Sequence, residues 1–286
     1  MEKYTTLLDD ATKKLIELGK QQELVNELLS KAPPVLWFGN NLSPKEKIVT
    51  IGANPSREEF LKENKFKAQE RLNSGGNLEY IDERLSRFKV LSNEQDWTHI
   101  LENPSLKEEI FISYNDYFKR NPYKWFGKKA SGNDSSYNVE GFINALDGSY
   151  YEGEKRYQCL HIDLMPFPTI SDFTSILVES EKYIFKNDWA RNFLDRLITE
   201  INPNKIIVFG RTNLNYLTRF WNISNIGEEY TFNALTENGR NSSSKYWIFD
   251  YKGIDVIGLS VNLGNPKGFS KKTLSEFGKA IKNSLT

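Results

Sequence analysis

Residues 48–56 restrict the fold more than any other part of the sequence. Four residues that favour β-structure run directly into Gly52-Ala53-Asn54-Pro55-Ser56, which predicts a buried parallel strand that ends in a sharp turn. Ligands of open α/β sheets bind beyond the carboxyl ends of the strands, so Asn54 and Ser56 are candidate functional residues. Gly52 permits backbone conformations closed to other residues, and Pro55 stiffens the turn. A purely structural turn with a capping serine is the alternative.

Three later stretches repeat this arrangement of an apolar strand followed by a turn. The strands are predicted at residues 157–165, 205–209 and 255–261. Amphipathic helices are predicted among them and at both ends of the chain, and this alternation is typical of an α/β fold. The polar, turn-rich residues 222–245 are predicted to be a variable surface excursion.

The composition excludes several classes of protein. The chain of 286 residues has 38 basic and 38 acidic side chains, so no net charge attracts nucleic acid to it. The single Cys159 excludes a disulfide framework, a four-cysteine zinc site and a four-cysteine iron–sulfur cluster. No apolar run approaches about 20 residues, and the charged start of the chain is unlike a secretory signal. We therefore expect a cytoplasmic monomer without a membrane segment.

No internal repeat or low-complexity linker divides the sequence. We therefore predict a single domain over residues 1–286, with a helix over residues 3–31 packed on it. Apolar residues recur at helical spacing in that N-terminal segment, and Pro33-Pro34 follows it.

Residues 114–126 interleave aromatic and basic side chains, with Tyr117, Phe118 and Tyr123 among them. Such a pattern suits a surface on which nucleobases stack and phosphates are neutralised. An apolar flap, in which the stems of Lys and Arg cover the core, explains the pattern equally well.

Asp163 interrupts the second predicted strand near its carboxyl end. A lone carboxylate in such a position is costly unless it is paired or faces a polar ligand. A structural ion pair or an exposed strand end is the alternative. His161 lies on the same face of a regular strand, but a His-x-Asp pair is too small for a catalytic metal site. We therefore expect no metal.

Two further turns have features of phosphate-binding sites. Gly210 and Arg211 open a helix after the third strand, where backbone donors, the helix dipole and a guanidinium attract an anion. An ordinary helix N-terminus with a surface arginine is the alternative. The loop at residues 262–272, after the fourth strand, combines Gly, Pro and Asn with lysines that include Lys267.

The order of these four strand–turn units resembles the uracil-DNA glycosylase superfamily over about residues 35–285. The run from Gly52 to Ser56 is similar to the first family motif, in the Gly-x-Asn-Pro-Gly form of the thymine-mismatch and single-strand-selective branches. The second family motif, usually His-Pro-Ser, follows the fourth strand. This sequence has no histidine there; Asn262 is the best match and Asn265 the second. The resemblance implies a three-layer α/β/α fold with a central, mainly parallel four-stranded sheet.

The resemblance also implies an activity, that of a monofunctional DNA glycosylase. Such an enzyme flips a nucleotide out of DNA and hydrolyses its N-glycosidic bond, with no metal or other cofactor. Asn54 would hold the attacking water, and Asn262 would take the place of the family histidine as the second catalytic residue. One of Tyr117, Phe118 or Tyr123 would stack on the extruded base.

DNA is the partner that the resemblance implies. Contacts to it are expected from Ser56, Arg211, Asn265 and Lys267. The loop at residues 263–269 is expected to fill the gap that the flipped nucleotide leaves in the duplex.

Asp163 stands where the family often has an asparagine that reads the edge of uracil. An ionised carboxylate accepts from the N4 amine of cytosine but cannot donate to O4 of uracil, and an unpaired partner costs about 1–3 kcal/mol. We therefore expect a cytosine-type substrate base. A modified cytosine is expected because removal of plain cytosine would damage the host genome. One branch of the superfamily removes hypermodified cytosine from phage DNA as a defence, and this chain could resemble it.

Three other functions are compatible with the sequence. The first is a repair glycosylase for uracil or another deaminated base, with Asp163 protonated or turned away from the base. The second is a catalytically inert DNA-binding member of the superfamily, which the missing histidine suggests. The third is an unrelated α/β enzyme that processes nucleotides or nucleosides, since fold alone does not determine function.

Overall fold

The computed structural model describes residues 2–128, 138–171, 188–235, 241–264, 266 and 268–285. The strands are β1 (Lys47–Gly52), β2 (Gly148–Ser149), β3 (Tyr157–Asp163), β4 (Lys205–Val208), β5 (Glu229–Leu235), β6 (Asn241–Tyr251) and β7 (Ile254–Leu259). The α-helices are α1 (Glu2–Leu18), α2 (Lys65–Asn73), α3 (Trp97–Glu102), α4 (Pro104–Asn115), α5 (Asn138–Ala145), α6 (Trp189–Ile201), α7 (Arg211–Phe220) and α8 (Lys271–Ser284). No helix within these residues is long and apolar enough to cross a bilayer.

The strands form one mixed sheet of seven, in the order β2-β3-β1-β4-β7-β6-β5, as far as the described residues extend. β4 pairs in parallel with β1 and with β7, so that Val208 lies between Ile51 and Gly258. The apolar runs predicted for these central strands are buried, as expected of parallel strands whose two faces are both covered. The prediction of an α/β fold is therefore confirmed.

The prediction of a four-stranded, mainly parallel sheet is wrong in extent. β5 and β6 form an antiparallel hairpin, and β6 pairs antiparallel with β7. The hairpin occupies much of residues 222–245, which the sequence analysis assigned to a surface excursion. The first half of β6 has only one buried residue, Ser244, so the hairpin is polar enough to resemble a loop in sequence.

The contacts divide the chain into two compact units, and the single domain over 1–286 stays a prediction. Unit 1 comprises Met1–Phe38, Ala53–Arg120 and Ile162–Glu200. Unit 2 comprises Gly39–Gly52, Asn121–His161 and Ile201–Thr286, and contains the sheet except for the last two residues of β3.

In unit 1, the predicted helix over residues 3–31 is too long. α1 ends at Leu18, and turns follow as far as residue 27. A Cβ atom at Gly19 would lie 2.7 Å from the ring of Trp97, so only glycine allows α3 to approach the end of α1 this closely. Leu24 and Leu28, which continued the helical pattern, are buried from these turns instead. The helical spacing of the apolar residues after Leu18 therefore indicates that they are buried, and not that they form a helix.

In unit 2, helices pack on the antiparallel part of the sheet and on the central strands. The ring of Phe277 on α8 lies 4.7 Å from that of Phe232 on β5 and 5.7 Å from that of Phe142 on α5. On α7, Leu214 covers β7, where a Cβ atom at Gly258 would lie 2.6 Å from a Leu214 methyl group. The contact of Leu214 with Gly258 holds α7 against the end of β7, from which one candidate functional loop of this unit starts.

Candidate functional site

The turn after β1 carries Asn54 and belongs to unit 1. Its first residue, Ala53, accepts a hydrogen bond of 3.0 Å from the backbone N–H of Met165. The turn therefore runs beside the segment that follows β3, which ends at Asp163. Asn54 and Asp163, the two residues on which the sequence prediction depends most, thus lie on adjoining segments of the same unit.

The amide of Asn54 is held by its nitrogen. Nδ2 donates to the hydroxyl of Thr169 at 2.8 Å, to the carbonyl of Pro55 at 3.3 Å and to the carbonyl of Phe167 at 3.4 Å. Carbonyl oxygens only accept, so this end of the amide has to be the NH₂ group. No donor to Oδ1 is found among the residues that the structure describes. Asn54 therefore offers a ligand a hydrogen-bond acceptor.

Asp163 is the last residue of β3 and is only 4% exposed. The exposed strand end, one of the alternatives considered for this residue, is therefore wrong. An ionised carboxylate is an acceptor only, so a ligand that reached Asp163 would have to present a donor. An amine or an N–H group fulfils this condition.

Ser56 starts the next segment and acts as a cap. Its hydroxyl accepts from the backbone N–H of Glu58 at 3.3 Å, at the start of the 3₁₀ turn Arg57–Glu59. This agrees with the capping role considered for Ser56. The hydroxyl hydrogen is still able to donate, so contact with a phosphate stays a prediction.

Glu59, at the end of that 3₁₀ turn, is fully buried in unit 1. Its carboxylate accepts from Nε of Arg87 and from the hydroxyl of Tyr117, the latter at 2.7 Å. Burial raises the pKa of Glu59, although Arg87 and Tyr117 oppose the rise. The network ties the residues that follow Asn54 to two distant parts of the chain.

Tyr117 and Phe118, two of the predicted base-stacking residues, lie in the core of unit 1. Tyr117 is 0% exposed, and its ring lies 4.9 Å from that of Phe88, 5.0 Å from that of Phe38 and 5.0 Å from that of Phe118. Phe118 is also buried. Stacking on a base would therefore require both rings to leave their packing, and the apolar alternative describes this half of the run better.

Tyr123, the third predicted stacking residue, is partly exposed and lies in unit 2. Its neighbour Trp125, for which the sequence predicts no separate role, has an indole that is also partly exposed. Trp125 packs 5.3 Å from the ring of His161 on β3 and 5.5 Å from that of Phe209 after β4. It is therefore an aromatic surface beyond the carboxyl ends of parallel strands, where ligands of such sheets bind.

Trp125 also covers the loop after β7. A Cβ atom at Gly264 would lie 1.1 Å from Nε1 of Trp125, so the indole occupies the space of a side chain at position 264. The glycine in the loop was the one sequence signal for this contact, and it does not identify the partner.

His161 is part of a buried network in unit 2. The hydroxyl of Thr50 donates to the carbonyl of Leu160 at 3.1 Å and lies 2.9 Å from Nδ1 of His161 and 2.7 Å from the hydroxyl of Tyr150. These contacts hold the imidazole of His161 beside the rings of Trp125 and Phe126.

Arg211 opens α7 after Gly210, whose φ of 86° requires glycine. The guanidinium lies over the ring of Trp247, 4.3 Å from its centroid, and the side chain is exposed. Stacking holds the plane of the guanidinium and leaves the edge with its N–H groups for an anion. Phosphate binding by Arg211 stays a prediction.

Asn262 follows β7 in unit 2 and is exposed. Its Oδ1 accepts from the backbone N–H of Gly264 at 3.0 Å, and no acceptor for Nδ2 is found within the described part of the chain. Leu263, in contrast, is 0% exposed. The expectation that the loop fills a gap in DNA therefore does not hold at Leu263. Asn265 and Lys267, the other residues predicted to contact DNA, lie outside the described residues.

In the part of the chain that the structure describes, no group of three or more His, Cys, Asp or Glu side chains is placed to hold a metal ion. Comparison with models of known families gives no match for this chain, and comparison with curated proteins gives none either.

Proposed function

We propose that this protein is a monofunctional DNA glycosylase that hydrolyses the N-glycosidic bond of a flipped nucleotide, with a modified cytosine as the base. The observation that carries the proposal is the orientation of the Asn54 amide. Its nitrogen is occupied by Thr169, Pro55 and Phe167, so the oxygen is the group that it offers. An acceptor at this place is what a residue needs to orient a water molecule for attack.

In the proposed reaction, Oδ1 of Asn54 accepts one hydrogen of the water, and a lone pair of the water points toward C1′ of the sugar. The water oxygen bonds to C1′, and the C1′–N bond breaks with its electron pair on the base. The departing base takes a proton from solvent, and the water releases one to solvent. Asn54 is not protonated, so its contribution is orientation.

Asp163 would select the base. The carboxylate accepts from an exocyclic amine, which cytosine and its modified forms carry at C4 and which uracil lacks. The position of Asp163 supports this role, because it ends β3 on a segment that adjoins the turn of Asn54.

The remaining parts of the proposal come from the resemblance to the uracil-DNA glycosylase superfamily. We propose a three-layer α/β/α fold and a monomer that acts on DNA. We also propose that Tyr123, Arg211 and Asn262 bind the DNA. The partial or full exposure of these three residues supports those roles. Because Tyr117 and Phe118 are buried, we do not include them.

The test is detection of freed base by mass spectrometry. Single- and double-stranded DNAs would carry cytosine, 5-hydroxymethylcytosine, a glucosylated hydroxymethylcytosine or uracil at one position. We expect release of a modified cytosine, loss of that release in Asn54→Ala, and full activity in Asn192→Ala, which alters an exposed asparagine of the same unit.

Three outcomes would overturn the proposal, and each would favour one of the alternative functions. Release of uracil alone would indicate a repair glycosylase. Tight binding to modified DNA without release from any of the DNAs would indicate an inert member of the superfamily. Absence of salt-dependent DNA binding would indicate an unrelated nucleotide-processing enzyme, because contacts to phosphates weaken steeply as salt rises.

A further inference from the structure

Thr169 holds Asn54 through a hydroxyl that can only accept a hydrogen bond from it. The side chain is 4% exposed, and its Oγ1 donates to the backbone carbonyl of Ser171 at 2.7 Å. The hydroxyl has one hydrogen, so toward Asn54 it can only accept. The 2.8 Å contact with Asn54 therefore admits the NH₂ end of the amide and rejects the oxygen end.

The acceptor to which Thr169 donates is itself fixed. Glu27 accepts from the backbone N–H of Ser171 at 3.0 Å and from its hydroxyl at 3.1 Å. The backbone carbonyl of Glu27 accepts from the N–H of Ile170 at 2.9 Å, and Arg57 donates to the carbonyl of Ile170 at 3.3 Å. The segment from Thr169 to Ser171 is therefore held by Glu27 and by Arg57. Because the carbonyl of Ser171 is fixed in this way, the hydroxyl hydrogen of Thr169 points toward it.

Without this hydroxyl, the amide of Asn54 would keep only its two longer bonds, of 3.3 Å and 3.4 Å. The carbonyls of Pro55 and Phe167 still accept only, so they favour the same end of the amide, but at these distances they hold it less firmly. An amide that rotates away from them would present NH₂ to the water. A donor there would occupy the lone pair that has to attack C1′, whereas an acceptor takes a hydrogen and leaves that lone pair available. The orientation of the amide thus determines whether a lone pair of the water is available to attack C1′.

We propose that Thr169 is a positioning residue, whose hydroxyl is the shortest of the three contacts that hold the Asn54 amide with its oxygen toward the water. The inference deepens the proposed glycosylase function and rests on it for the identity of the ligand. The orientation itself depends on contacts within unit 1 and on no bound DNA, so it can be measured without activity.

The test compares Thr169→Val, which removes the hydroxyl at nearly constant shape, with Thr169→Ser, which keeps it. On the DNA that the wild-type protein cleaves, we expect Val to lower the single-turnover rate constant by about 10- to 100-fold, as misplacement of a reacting group does. The dissociation constant for the same DNA should stay within about 2-fold, because positioning acts after binding. Ser should restore most of the rate.

Two further measurements separate positioning from a general loss of structure. In the Asn54→Ala background, Thr169→Val should have no additional effect on rate if it acts through Asn54. An equal loss in both backgrounds, or parallel changes in rate and affinity, would overturn the inference.

The second measurement follows the side-chain NH₂ resonances of Asn54 by ¹⁵N–¹H NMR, assigned by their disappearance in Asn54→Ala. We expect slow exchange with solvent in the wild type and in Thr169→Ser, and fast exchange in Thr169→Val. Unchanged resonances in Val would refute the positioning role, whatever the protein does to DNA. Changed resonances without release of any base would refute the glycosylase function and leave the positioning intact.

Discussion

The turn after β1 and the loop after β7 each present an asparagine, and the two are held in opposite ways. Asn54 in unit 1 is bound through its nitrogen, so its oxygen is left to accept. Asn262 in unit 2 is bound through its oxygen, which accepts from Gly264, so its nitrogen is left to donate. An acceptor suits the orientation of a water, and a donor suits a contact to an oxygen atom of a ligand.

The difference shows that residue type alone does not give a chemical role. Both side chains are asparagines in turns that follow parallel strands, and the sequence predicts a catalytic role for each. Their hydrogen-bonding partners decide which end of each amide is offered. In the superfamily that the sequence resembles, a histidine usually stands where this chain has Asn262, and a free NH₂ group is the part of asparagine that could contact an oxygen of a ligand in its place.

The largest expected effect is that of Asn54→Ala. Loss of the acceptor should lower base release by about 10²- to 10³-fold, the usual effect of deleting one preorganised polar contact to the reacting groups. Affinity for DNA should change by no more than a few fold. Single-turnover assays and equilibrium binding would measure the two quantities, with Asn192→Ala as the control. Unchanged turnover would remove Asn54 from the mechanism.

Asp163→Asn should have the next largest effect, on the choice of base. The amide adds a donor beside the acceptor, as in the family members that read uracil. We expect the ratio of kcat/KM for uracil to that for modified cytosine to rise by about 10- to 100-fold, the equivalent of about 1–3 kcal/mol. Competition between the two DNAs in one reaction would measure the ratio directly. An unaltered ratio would mean that Asp163 does not contact the base.

Asn262→Asp should have a smaller effect, and it tests the other half of the comparison. The carboxylate can still accept from Gly264, so the turn is kept, while the donor is lost. We expect about a 10-fold lower rate, less than for Asn54 because one exposed donor is removed. Asn262→Ala removes the turn as well as the donor. If Asp matched the wild type and only Ala were impaired, Asn262 would have a purely structural role.

The smallest expected effect on activity is that of Glu140→Gln, which tests the stability of unit 2. Glu140 accepts from Ser149 at 2.6 Å, from Asn144 at 2.8 Å and from the N–H of Tyr150 at 3.1 Å. Burial raises its pKa from 4.5 to about 7, against the effect of these donors. The folded state therefore holds a proton that the unfolded state releases above about pH 4.5.

The free energy of unfolding should consequently fall by about 3 kcal/mol as the pH rises from about 4.5 to about 7, and stay level above that range. In Glu140→Gln this dependence should be lost, and the protein at pH 5 should be about 1–3 kcal/mol less stable because one donor stays unpaired. Urea unfolding at pH 5 and pH 8 would measure both. A wild-type stability that does not fall with pH would contradict the raised pKa.

The strands that carry the candidate residues could be predicted from the sequence, because buried parallel strands are continuous apolar runs bounded by turns. β5 and the first half of β6 could not, because they are largely exposed and their polar residues resemble a loop, whereas the more apolar second half of β6, residues 246–251, is predicted as an edge strand. At the site, the positions of Asn54 and Asp163 followed from the ends of their strands. The orientation of the amide did not, because Thr169 is distant in sequence and acts through one hydrogen.

Aromatic residues were the least predictable part of the site. Tyr117 and Trp125 both belong to residues 114–126, where aromatic and basic residues alternate. Tyr117 is nevertheless buried and donates a hydrogen bond to Glu59, whereas Trp125 is partly exposed. The spacing of the run contains no information on whether a ring packs inward or outward once helix α4 has ended at Asn115. Such choices depend on contacts with residues far away in the sequence.

The close contact between the indole of Trp125 and Gly264 limits which residues relatives of this chain can have at these two positions. Any side chain at position 264 would displace the indole, so the two positions are expected to change as a pair. A relative with alanine or serine at the position of Gly264 should carry a smaller residue at the position of Trp125. A tryptophan retained there would mean that the loop after β7 takes a different path.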